Sequence, residues 1–147
     1  MRSIGIAMGW VCLAACGGAH KTETSPAPPA AGGNDALIVR GGELYAAHCA
    51  KCHGDGGQGT DKAPMVVGVD KGALPLDPRS GAKRDVQFHT AADVGGWVAK
   101  HMPGDAPGTL ALDDYVAILA FDLHANGVDL GPEPFTLDRA ATIVIHP

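Results

Sequence analysis

The pentapeptide Cys49-Ala50-Lys51-Cys52-His53 constrains this chain more than any other part of it. Two thiols at this spacing lie about one helical turn apart, so they can bond the two vinyl groups of a single haem, and the histidine that follows is placed to give the iron an axial nitrogen. Other chemistries draw on the same residues. A zinc site needs a second ligand pair at a suitable spacing, and the only other cysteines, Cys12 and Cys16, lie in an N-terminal stretch with the marks of an export signal. A thioredoxin-like pair needs a strand–helix context, whereas the flanks here read as helical and then glycine-rich. The pentapeptide therefore points to one covalently attached haem c.

The N-terminus supports an exported protein. Arg2 supplies a positive n-region, and Ile4 to Ala14 an apolar stretch too short to span a membrane. It ends in Leu13-Ala14-Ala15-Cys16, which resembles the lipobox of bacterial lipoproteins. That resemblance implies a signal over residues 1–15, cleavage before Cys16 and a lipid on Cys16. The alternative is an ordinary secretory signal with a cysteine at its cleavage site. Lipidation implies a protein tied by its lipid anchor to the outer or inner membrane of a bacterial envelope and facing the periplasm. Residues 16–34 are rich in Gly, Ala, Ser, Thr and Pro and read as a flexible tether. Cys12 leaves with the signal, Cys16 takes lipid, and Cys49 and Cys52 take haem, so no disulfide is expected.

Twenty-one glycines and eleven prolines in 147 residues predict long irregular stretches, which a large apolar cofactor offsets by serving as part of the core. The formal net charge of −5 and the lack of a basic stripe argue against a nucleic-acid partner. Arg79, Lys83 and Arg84 form the one basic cluster, read as a solvated loop.

Asn34 or Asp35 is positioned to cap a first helix. Leu37, Gly41, Leu44, Tyr45, His48 and Cys52 recur at helical spacing, so that helix runs into the pentapeptide. Gly54 to Gly59 reads as a flexible loop without a phosphate-loop lysine, and Ala63 to Gly68 as an apolar loop. From Gly41 through Gly68 the chain looks like the N-terminal half of class I c-type cytochromes. Gly41 and Tyr45 match the glycine and aromatic that cross the C-terminal helix in that family, and Pro64, Val66 and Gly68 match its Pro-x-Leu-x-Gly loop with one apolar exchange. The resemblance implies that the Pro64 carbonyl accepts the Nδ1 proton of His53.

Residues 69–87 read as an extended loop without an assigned role. Phe88 is expected on haem or core. Thr90 and Asp93 have the spacing of a capping box, followed by an apolar face of Val94, Trp97 and Val98. Trp97 is expected in the core, with a haem propionate as the other partner for its indole. The helix stops at Met102-Pro103, which is similar to the sixth-ligand loop of the same family and implies Met102 as the second axial ligand. Rival ligands are Met65, His101 and His89. Leu110 to Asn126 is the best-defined helix, capped at Ala111 with Asp114 at the third position, buried through Tyr115, Ile118, Leu119 and Leu123, and ended by Asn126-Gly127. The family usually has Ser or Thr at that cap, so alanine costs about 1 kcal/mol there.

The resemblance covers about residues 36–127. It implies an all-α class I cytochrome c fold, with three to five helices around one haem and long loops, over residues 35–127. Residues 128–147 form an extension with one helical turn near Thr136–Ala141 and a strand-like Thr142-Ile143-Val144-Ile145. The expected function is a membrane-tethered monohaem electron carrier serving redox partner proteins. No nucleophile–base arrangement or small-molecule substrate site is expected. The alternatives are a haem protein that senses a small ligand, and a haem subunit of a larger respiratory complex.

Overall fold

The computed structural model describes residues 33–68 and 87–145. The signal, tether and basic-cluster readings fall outside them. Among the described residues five helices follow in order: α1 (Asp35–His48), α2 (Ala50–His53), α3 (Ala91–His101), α4 (Leu112–Ala125) and α5 (Leu137–Ala140). The fold is all-α, as expected. Among the described residues no helix is long and apolar enough to cross a membrane.

The central contact is the crossing of α1 and α4. Gly41 makes it possible: a Cβ there would stand 1.9 Å from the carbonyl oxygen of Ala117, inside van der Waals contact. One turn later Tyr45 meets Phe121, with ring centroids 5.3 Å apart, a separation favourable for tilted aromatic pairs. At the outer edge of the crossing Arg40 pairs with Asp114 at 2.5 Å. Asp114 therefore serves α1, while Ala111 caps α4 without any side-chain hydrogen bond. Cys49 bends the chain between α1 and α2, and its N–H still donates to Tyr45 O at 2.8 Å, so the helix passes into the pentapeptide almost unbroken.

Helix α3 packs on α4 through Gly95 against Leu119. Its capping box is complete: the Thr90 N–H donates to Asp93 at 2.8 Å, and the Thr90 side chain engages the N3 backbone. Phe88 and Val94 join Leu37, Leu119 and Leu123 in one core.

The tail folds into that same core, contributing Leu130, Phe135 and Ala140. The expected strand at 142–145 reduces to a single antiparallel bridge between Thr90 and Val144, because its partner is the one extended residue before α3 rather than another strand. Ala91 N donates to Ile143 O and Ile145 N to His89 O, so the tail clasps the start of α3. Asn34 precedes α1 as expected, but its side chain does not cap. It bonds the carbonyls of Gly131 and Glu133 and accepts from Phe135 N, which ties the tail to the start of the domain.

The crossing gives a direct test. Gly41→Ala is expected to cost about 3 kcal/mol by forcing the helices apart. Gly42→Ala, whose Cβ would meet the Phe121 ring at 3.3 Å, is expected to change stability by less than about 1 kcal/mol, since the gain in helix propensity offsets the crowding. Urea unfolding of both variants separates the two outcomes.

Candidate functional site

The pentapeptide sits where α2 ends. His53 is buried, and its Nδ1 lies 2.7 Å from the carbonyl oxygen of Pro64. A carbonyl can only accept, so Nδ1 carries the proton and the Nε2 lone pair is left to bind a metal. Gly54, the next residue, gives its carbonyl to the Tyr45 hydroxyl at 2.8 Å.

The glycine-rich segment, read from sequence as flexible, is bonded throughout. Gly59 N donates to His53 O, and Gly57 O accepts from Val66 N and Val67 N. At Gly59 φ is +84° and a Cβ would meet Met65 N at 2.7 Å; only glycine lets the chain press this closely on residues 64 and 65. Asn126 secures the far end, accepting from Gly68 N at 2.8 Å and donating to Val66 O at 2.8 Å. It was expected only as a helix stop. Its partners lie about sixty residues away, which no local pattern reveals.

Met102 caps the end of α3, half-buried, with its N–H on Val98 O. The Tyr115 hydroxyl donates to the Met102 carbonyl at 2.6 Å. An ion pair between Lys51, inside the pentapeptide, and Asp105, in the loop after Met102, brings these two segments together. Lys51 holds the Asp105 carboxyl below its usual range. Of the rival ligands, His101 stacks on Trp97 with centroids 4.5 Å apart and sets Nδ1 on Trp97 O, while the His89 ring meets Gln87. Met65 is half-buried in the loop that follows Pro64.

Two observations test the fit of a haem. The indole Nε1 of Trp97 is buried and has no hydrogen-bond partner among the described residues. Such a donor is costly unless satisfied, and a haem carboxylate would satisfy it. The donor set also fits: two thiols one turn apart, an imidazole with Nε2 free, and a thioether on the segment joined to them by Lys51 and Asp105. A redox dithiol fits worse. Burial, then the charges of Asp122 and Cys52, push the Cys49 thiol up to about 11, whereas reactive pairs depend on a lowered thiol pKa. Among the described residues no group of three or more His, Cys, Asp or Glu could hold a metal ion.

Asp122 escaped the sequence reading, which gave it no role on α4. It is 8% exposed, and its carboxylate accepts a long hydrogen bond, 3.4 Å, from the Asn126 side-chain amide. Burial pushes its carboxyl up to about 7. A carboxyl raised above its unfolded value binds more protons in the folded state, so it costs nothing at pH 3 and destabilises progressively as pH rises from about 4 to about 7. Asp122→Asn is expected to flatten this fall and to add on the order of a few kcal/mol at pH 8. Urea unfolding of both proteins across pH 4 to 8 measures it.

Comparison with known proteins agrees with this geometry. The family described as cytochrome c oxidase, cbb3-type, subunit III matches residues 36–121. A cytochrome bc1 complex cytochrome c subunit from Corynebacterium efficiens is 27% identical over 124 residues, which cover 75% of this chain and 41% of that protein. The crystal structure of the sulfane dehydrogenase SoxCD from Paracoccus pantotrophus superposes with a TM-score of 0.55 and 30% identity, over 73% of this chain and 52% of that one. The chain thus spans about half or less of the relatives it matches. It belongs to the cytochrome c oxidase, cbb3-type, subunit III family, and is a c-type cytochrome: a haem electron-transfer protein whose haem c is covalently bound.

Proposed function

We propose that this chain is a monohaem cytochrome c, tethered by a lipid on Cys16 to a bacterial envelope membrane and facing the periplasm, that passes single electrons between redox partner proteins. The observation that carries it is the His53 ring, locked on Pro64 with Nε2 free, joined to the Met102 loop through Lys51 and Asp105. Cys49 and Cys52 would hold the haem through thioether bonds, and His53 and Met102 would fill both axial positions. Bound there, haem iron supplies reversible one-electron exchange, and Met/His ligation keeps its potential high. The chain's own part is to hold both ligands in place, so that little rearranges with each electron. The tether is supported by the sequence of residues 1–34 alone.

A second reading, a haem subunit of a larger respiratory complex, is favoured by one observation. One relative is named as a cytochrome bc1 complex subunit, and both it and the sulfane dehydrogenase chain extend well beyond the stretch this chain matches.

Visible spectra of the ferric protein test the site. Met102→Ala is expected to keep covalent haem, lose the methionine–iron charge-transfer band entirely and lower the reduction potential. Survival of the band refutes the ligand assignment, and absence of covalent haem from the wild type refutes the reading as a whole. For the tether, Cys16→Ser is expected to move the protein from the membrane to the soluble fraction. Stable co-purification with other redox subunits favours the second reading.

A further inference from the structure

The chain contains two tyrosines. Each sits on one of the two crossing helices, each is buried, and each gives its hydroxyl to a backbone carbonyl at or next to a proposed ligand. Tyr45 on α1 donates to Gly54, the residue after His53. Tyr115 on α4 donates to Met102 itself, at 2.6 Å.

The two ends of the site are not equally secured. His53 has its ring on Pro64, its N–H on Cys49 O and its carbonyl on Gly59 N, and it directly follows a residue that binds haem covalently. Met102 follows the last residue of α3; Pro103 after it is buried, but Gly104 and Asp105 beyond are exposed. Its N–H bonds Val98 within α3, and its carbonyl has a second donor, Gly108 N, only at 3.3 Å. The Tyr115 hydroxyl is the short bond that fastens this segment to α4. A hydroxyl on a backbone carbonyl acts whatever the side chain beyond it does, so it fixes where the methionine starts from.

We propose that Tyr115 is a positioning residue for the sixth ligand: by holding the Met102 backbone against α4, its hydroxyl opposes loss of the sulfur from iron. This rests on Met102 being the axial ligand. No local pattern pointed to it, because Tyr115 has the spacing of an apolar staple for α4 and its hydroxyl has no role in that motif.

Competition with imidazole on the full-length ferric holoprotein at pH 7, followed by loss of the methionine–iron band, measures the hold directly. Tyr115→Phe keeps the ring and removes only the hydroxyl. It is expected to lower the apparent imidazole dissociation constant about threefold to tenfold, the worth of one buried hydrogen bond. Tyr45→Phe removes a comparable buried bond on the histidine side and is expected to change it less than about twofold. Urea midpoints of both variants report general stability separately. An unchanged imidazole constant in Tyr115→Phe overturns the proposal. So does an equal fall in both variants, which marks loosening of the whole fold. A wild-type haem protein without the methionine–iron band, seen before any imidazole is added, overturns the ligand assignment and the proposal with it.

Discussion

The close approach at Gly41 is the constraint on which the site depends. With the Ala117 carbonyl where a Cβ would stand, α1 and α4 meet backbone to backbone at one point, and the rest of each helix is aimed by that contact. Beyond it, α1 leads through Tyr45 to Cys49, Cys52 and His53, while α4 places Tyr115 at one end and Asn126 at the other. The Met102 segment and the loop that supports His53 are then fastened to this pair: Met102 through Tyr115, and the Pro64–Gly68 loop through Asn126. A change in the crossing angle therefore moves the histidine support and the methionine loop together. Rigidity of this kind suits electron transfer, which runs best when the ligands hold one geometry in both oxidation states.

The tail extends the same logic to α3. That helix ends in Met102 and has few neighbours of its own, so its direction is set at its start. There Ile143 and Ile145 supply backbone bonds to Ala91 and His89, and Phe135 and Ala140 fill the core beneath. Asn34 closes the loop by tying Gly131, Glu133 and Phe135 to the beginning of α1. The family match stops at residue 121, yet the residues beyond it bear on the helix that presents the methionine.

What could be read from the sequence was chemistry written in short spacings. The pentapeptide, the Gly41 and Tyr45 pair, the Thr90 and Asp93 box and the apolar face of α4 are all patterns whose residues lie within a few turns of one another. The polar residues that pin loops to helices could not be read this way. Asn34, Asn126 and Tyr115 look like a cap, a stop and a staple, and each has a second use set by a partner brought in by the fold. Asp122 is the sharpest case. Its place on α4 says nothing of burial, and only the packed α1–α4 interface shows a carboxylate removed from water beside Tyr45 and Cys49, whose own protons its charge holds on. The strand-like tail failed for a related reason: β-branched residues prefer extended backbone, but a ladder needs a partner strand.

The difference between the His53 and Met102 segments follows from where their restraints come from. The histidine is held by its neighbours in sequence, through bonds to Cys49, Gly59 and Pro64 that form as the local chain folds. The methionine is held by elements far from it: α4 through Tyr115, α2 through the Lys51–Asp105 pair, and the tail through α3. Local restraints persist while the backbone around them is intact, whereas long-range ones fail as soon as the elements part. The ion pair is exposed as well, so it is screened by salt and worth little alone. A partner that docks on this exposed pair therefore disturbs the Met102 segment before it reaches the His53 ring. On the proposed ligation, the sulfur is the ligand held by long-range contacts and the imidazole the one held by its neighbours in sequence.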